Sequence, residues 1–148
     1  MGYRFTGVFT CSKTIALAAH QRWPFCVLKE VTEQSECFVL RIPVEEDNES
    51  EEISERIENQ YLSVKKELVE LSKVNPDEVV IFLEAECFGG VCSYVGFQTK
   101  NGVKLKEFVD FDAPEELLIE LLEPINVSWT NGLYFAPLDR AYFKEKQS

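Results

Sequence analysis

EVVIFLEAECFGG, Glu78 to Gly90, followed at once by VCSYVGFQTK, Val91 to Lys100, is the stretch whose reading decides the fold. Gly-Gly between two apolar runs reaches positive φ at little cost, which suits a two-residue hairpin turn. With Gly89-Gly90 at the turn, Phe88 faces Val91 and Cys87 faces Cys92. The cysteine pair then falls on a non-hydrogen-bonded rung, where opposed side chains come closest. The same register sets Phe82 against Phe97 and Leu83 against Gly96. Val79, Ile81, Leu83 and Ala85 lie on one face of the first strand, Val80 and Phe82 on the other. A strand apolar on both sides is central, with something packed over each face.

Working outward, Asn101-Gly102 marks a second turn, leading to VKLKEFVD. A strict two-residue turn there sets Gln98 opposite Leu105 and Phe97 opposite Lys106. That leaves two options, a solvated tip or a bulge that shifts the register. Upstream, Tyr3 to Thr10 alternates aromatic and polar residues like a strand. Ser12 caps a short helix, Thr14 to Trp23, which Pro24 ends. Phe25 to Thr32 and Cys37 to Pro43 read as a hairpin across the polar link TEQSE. Ile53, Ile57, Tyr61, Val64, Leu68 and Leu71 recur every three or four residues, so a long amphipathic helix runs to about Lys73. Asn48 with Glu51 forms its capping box, and Asn75-Pro76 ends it. Asp112-Ala-Pro-Glu115 opens a second Leu-rich helix through about Glu123. Asn131-Gly132 marks a further turn, and residues 144–148 form a frayed tail.

Strands grouped with two or three helices, without strict alternation, predict an α+β fold with a largely antiparallel sheet and the hairpin 78–99 at its centre. Residues 1–148 are read as one globular domain. Apolar residues make up 45% of the chain, enough to bury a core. No apolar run reaches the length of a membrane span, and the first residues lack signal-peptide character. Cytoplasm is the expected compartment. Five cysteines at irregular spacing fit free, mostly buried thiols in such a setting.

The net charge of −11 excludes a bare nucleic-acid backbone or an anionic membrane as natural partners, because both need a basic patch. It favours solubility and the steering of a basic protein surface. Glu45, Glu46, Asp47, Glu49, Glu51 and Glu52 crowd into eight residues and form the candidate interface.

Cys87 and Cys92 admit three readings: a redox pair, half of a zinc site, or packed strand thiols. Zinc needs two further ligands, and no second tight cysteine pair supplies them, so neither metal nor cofactor is expected. Cysteine nucleophile chemistry would have to use His20, the single histidine. Glu84 and Glu86 share one strand face, opposite Val95 and Ser93; an apolar neighbour there could raise one carboxyl for acid–base work, and the alternative is an exposed strand half. Arg140 sits among aromatics in a chain short of positive charge and suits either an anion or a structural ion pair. No phosphate loop, dinucleotide fingerprint, nucleophile elbow or metalloprotease motif is present.

The stretches AECFGGVCSYVGF and YFAPLDRAYF resemble those of a group of small, uncharacterised bacterial proteins. That group carries an ECFGG-x-C stretch and a terminal YFAP-x-x-R-x-(Y/F)-F stretch. The resemblance implies a bacterial, intracellular accessory protein. In composition the chain also resembles immunity proteins that neutralise toxins. The expected function is therefore a non-enzymatic, acidic protein-binding domain of immunity or inhibitor type, with a basic protein as partner. The alternative is a small-molecule binder or enzyme built on Cys87, Cys92 and Arg140.

Overall fold

The computed structural model describes residues 3–42, 51–88, 91–109, 114–129 and 135–138. Six strands form one sheet: β1 Tyr3–Thr10, β2 Val27–Val31, β3 Cys37–Arg41, β4 Val80–Phe88, β5 Val91–Lys100 and β6 Val103–Phe108. Their spatial order is β2-β3-β1-β4-β5-β6, and every neighbouring pair is antiparallel. Three α-helices complete the architecture: α1 Lys13–Arg22, α2 Glu51–Leu71 and α3 Pro114–Leu121. The fold is α+β, as the grouping of elements predicts. The first six elements, β1-α1-β2-β3-α2-β4, place β1 between β3 and β4. This is the connectivity of the split βαβ, ferredoxin-like topology, here extended by β5 and β6. Connectivity of this kind hosts many unrelated functions and assigns none.

The two-residue period of the strands sorts the core into two layers. Phe5, Phe9, Val39, Ile81, Leu83 and Tyr94 face α3, with Leu117, Leu118, Leu121 and Leu122 packed on them. Val8, Leu40, Val80, Phe82 and Phe97 face α1 and α2, which contribute Ile15, Ala16, Ala19, Val64 and Leu68. β4 supplies both layers, and it pairs with β1 over eight rungs and β5 over nine.

Local chemistry sets the element ends. The Ser12 hydroxyl accepts the Ile15 amide at 3.1 Å, so α1 starts at Lys13. The capping box expected at Asn48 lies outside the described residues, as do the side chains of Ile53 and Ile57. At the end of α2 the chain tightens into a 3-10 turn, Ser72–Val74. The Ser72 hydroxyl donates to the Val69 carbonyl at 2.6 Å and accepts the Gly102 amide at 2.8 Å, tying α2 to the β5–β6 turn. In that turn Asn101 has φ 50° and Gly102 φ 76°, the pattern of a type I′ hairpin. α3 ends at Leu121, two residues earlier than its apolar pattern suggests. Pro124 lies in the short 3-10 turn Glu123–Ile125, and Asn126 then turns the chain at φ 53°. The turn expected at Asn131-Gly132 lies outside the described residues. Its downstream flank, Ala136–Leu138, is a 3-10 turn.

The bulge option for β6 is the one the structure takes. Thr99 pairs with Lys104, but Gln98 pairs with Lys106, so Leu105 is the extra residue. The shift moves Phe108 to the α3 face opposite Gly96, where it is buried. An unbroken ladder would have put Glu107 there.

Gly96 is where α3 comes down on β5. A Cβ at this position would stand 2.1 Å from the Phe82 carbonyl oxygen and 2.8 Å from Leu121 Cδ2. Gly96→Ala is expected to destabilise the protein by about 3 kcal/mol, through overpacking against backbone that has no room to yield. Urea unfolding checks this, and an unchanged midpoint would show that α3 is not seated there.

Candidate functional site

The hairpin tip follows the expected register: Phe82↔Phe97, Leu83↔Gly96, Glu84↔Val95, Glu86↔Ser93, Cys87↔Cys92 and Phe88↔Val91. Gly89 and Gly90 themselves lie outside the described residues. The two cysteines are not the packed thiols of the sequence reading, because they form a disulfide with Cα atoms 4.0 Å apart. The physical reason is the rung they occupy, the non-hydrogen-bonded position that brings opposed side chains nearest. Cys11, Cys26 and Cys37 are free. Arg140, the third member of the alternative site, lies outside the described residues.

Glu84 and Glu86 are not simply an exposed strand half. Tyr61 of α2 donates a 2.6 Å hydrogen bond to Glu84, and Lys65, one turn on, stands 3.9 Å from the same carboxylate. Burial, then the hydrogen bond to Glu84 and its charge, push the Tyr61 phenol well above its ordinary range, so it is a poor proton donor or base. Glu86 pairs with Arg4 across β1 at 3.4 Å, with both side chains about half exposed. The arrangement reads as an ion-pair lattice where α2 crosses the sheet.

The described segments on either side of the acidic stretch, the end of β3 and the start of α2, lie toward this same end of the molecule. β3 finishes beside β1 near Gly7, where the Ile42 amide donates to the Thr6 carbonyl. α2 passes Glu84 at Tyr61 and reaches the β5–β6 turn at Ser72, so its Glu51 start points toward the hairpin-tip end. Glu45, Glu46, Asp47 and Glu49 lie outside the described residues. Glu51 and Glu52 belong to the first turn of α2, where carboxylates favour the helix dipole.

No family model, curated protein or solved structure matches this chain. Among the described residues there is no group of three or more His, Cys, Asp or Glu side chains able to hold a metal ion. No helix among them is long and apolar enough to cross a membrane. His20 sits on α1, whose buried residues belong to the α1/α2 layer, whereas Cys11, Cys37 and Cys92 belong to the α3 layer on the other face. Cys26 shares the α1 layer, but burial pushes its thiol up to about 12. The thiolate needed for nucleophilic attack is thereby disfavoured.

At the opposite end of the sheet is a cleft of about 550 Å³ lined by Cys11, Gln34, Ser35, Ile125, Asn126 and Ser128, among others. The sequence gives little sign of it. Gln34, at φ 70° in the β2–β3 turn, holds its far wall. Its carbonyl accepts the Ser128 amide at 2.7 Å, and its side-chain oxygen accepts the Ala136 amide at 3.0 Å. The buried Ser35 hydroxyl donates to the Ile125 carbonyl.

The Cys87–Cys92 disulfide closes a short loop, so its chain-entropy contribution is about 2 kcal/mol. The double substitution Cys87→Ser with Cys92→Ser is expected to lower unfolding free energy by about that amount while leaving the far-ultraviolet circular dichroism unchanged. Equal stability of the two proteins under non-reducing conditions would contradict the linkage.

Proposed function

We propose that this chain is a non-enzymatic, acidic protein-binding domain of bacterial immunity or inhibitor type, acting on a partner with a basic surface. One observation carries the reading. Glu45 to Glu58 hold eight acidic residues against the single cation Arg56, a net −7 out of −11 for the whole chain. Charge this concentrated serves solubility, and it also raises the encounter rate with a complementary surface. The segment runs directly into α2, whose exposed face carries Glu58, Asn59, Leu62 and Lys66. Leu62 is 49% exposed with Glu58 and Lys66 one turn to either side, the pattern of an apolar contact inside a polar rim. The lattice of Tyr61, Lys65 and Glu84 holds this part of α2 against the sheet. The resemblance of the ECFGG-x-C and YFAP stretches to small bacterial proteins supports a bacterial origin. The disulfide leaves the alternative built on Cys87, Cys92 and Arg140 without a free thiol pair at the tip, and no observation favours it over protein binding.

The test mixes the purified protein with the purified products of its neighbouring genes. A complex is expected whose association rate falls at least about tenfold between low and high ionic strength. Neutralising Glu45, Glu46, Asp47, Glu49, Glu51 and Glu52 to their amides should lower the low-salt rate to the high-salt value. An association rate that ignores both salt and the amide substitutions would overturn the reading.

A further inference from the structure

Cys11 and Cys37 are separated in the chain by α1 and β2, yet the pairing of β1 with β3 brings them near each other. β1 and β3 pair antiparallel, and their last rung is Thr10↔Phe38. β1 ends there and the chain bends at Cys11, one step beyond the rung, where the same register would set it against Cys37. Both belong to the α3-side layer, Cys37 2% exposed within it and Cys11 packed against it and partly open. The two sulfurs are close enough for a charge on one to disfavour a charge on the other. Cys11 also lines the cleft, so solvent and small solutes reach one thiol of the pair and not the other.

We propose that Cys11 and Cys37 are an oxidisable dithiol, a modification site for small-molecule disulfides that closes a second cross-strand disulfide in this sheet. The partly open Cys11 reacts first. Its thiolate attacks one sulfur of the incoming disulfide, and the other sulfur leaves as a thiol after taking a proton. This gives a mixed disulfide at Cys11. The Cys37 thiolate then attacks Cys11 Sγ, and the second small thiol leaves with the Cys37 proton. One external disulfide is reduced to two thiols as two protein thiols become one disulfide. The cleft admits the reagent, and the buried position of Cys37 directs it to resolve the adduct instead of capturing its own. Burial pushes the Cys37 thiol up to about 11, and burial together with the Glu78 charge also raises that of Cys11. Exchange is therefore slow at neutral pH and quickens as pH rises. Cys87–Cys92 does not take part, because Cys87 pairs with Tyr3 at the far end of β1.

The experiment treats the native protein with glutathione disulfide, blocks remaining thiols by alkylation, and maps peptides without reduction. The expected product is a peptide pair linked through Cys11 and Cys37, with Cys26 alkylated only after unfolding. In Cys37→Ala the expected product is a lasting glutathione adduct on Cys11. In Cys11→Ala, Cys37 should react at least tenfold more slowly than Cys11 does in the native chain. The proposal is overturned if the native protein keeps a stable adduct on Cys11. It is also overturned if both thiols are recovered unlinked, or if Cys11 links to Cys26. Should either variant fail to fold, the linkage map of the unsubstituted protein decides alone.

Discussion

The pairing of β1 with β4 is the constraint from which the rest of the architecture follows. Eight rungs join them, from Tyr3↔Cys87 to Thr10↔Val80. They connect a unit made from the first half of the chain to one made from the second. β2, β3 and α1 attach on one side, β5, β6 and α3 on the other. Neither strand has a face left for water along most of its length. Phe5, Phe9, Ile81 and Leu83 are buried beneath α3, and Val8, Val80 and Phe82 beneath α1 and α2. Each of these large side chains gains roughly 1.5–3 kcal/mol on burial before conformational entropy is subtracted. Separating the two strands would open both layers at once, which ties their stability to that of the whole sheet.

What the sequence reveals about this fold is what is local in it. The β4–β5 hairpin is legible because Gly89-Gly90 and the apolar runs beside it are contiguous, and the observed rungs match that reading from Phe82 to Phe88. The start of α1 is legible because Ser12 and the Ile15 amide it binds are three residues apart. The register of β6 is only half legible. The turn chemistry at Asn101-Gly102 is plain, but the choice between a solvated tip and a bulge at Leu105 depends on α3, which needs Phe108 over its leucines and draws Lys106 toward Glu120 at 2.5 Å. The juxtaposition of Cys11 with Cys37 is not legible, because it arises from β1–β3 pairing across an intervening helix and strand. The cleft beside Cys11 has the same origin, since Gln34 meets Ser128 only through the tertiary fold.

The two ends of the sheet carry different chemistry. At one end the disulfide fastens the β4–β5 hairpin close to where α2 starts, and charge dominates. Arg4 with Glu86, and Lys65 with Glu84, brace the strands there. The exposed Arg4–Glu86 pair contributes little to stability, whereas the half-buried Glu84 also accepts the Tyr61 hydroxyl and so ties α2 to the sheet. At the other end the surroundings are thiols, hydroxyls and carbonyls around a cleft. The central sheet keeps these two regions apart. The protein-binding reading concerns the first end and the dithiol the second, so the failure of one leaves the other standing.

Native-state hydrogen exchange tests the central pairing most directly. If β1 and β4 hold the molecule together, their amides exchange last and with the same free energy, equal to that of global unfolding. The amides of the edge strands β2 and β6 exchange earlier. If those of β4, β5 and β6 instead outlast those of β1 by more than about 2 kcal/mol, the second half is stable without its partner, and the account built on the β1–β4 ladder is contradicted.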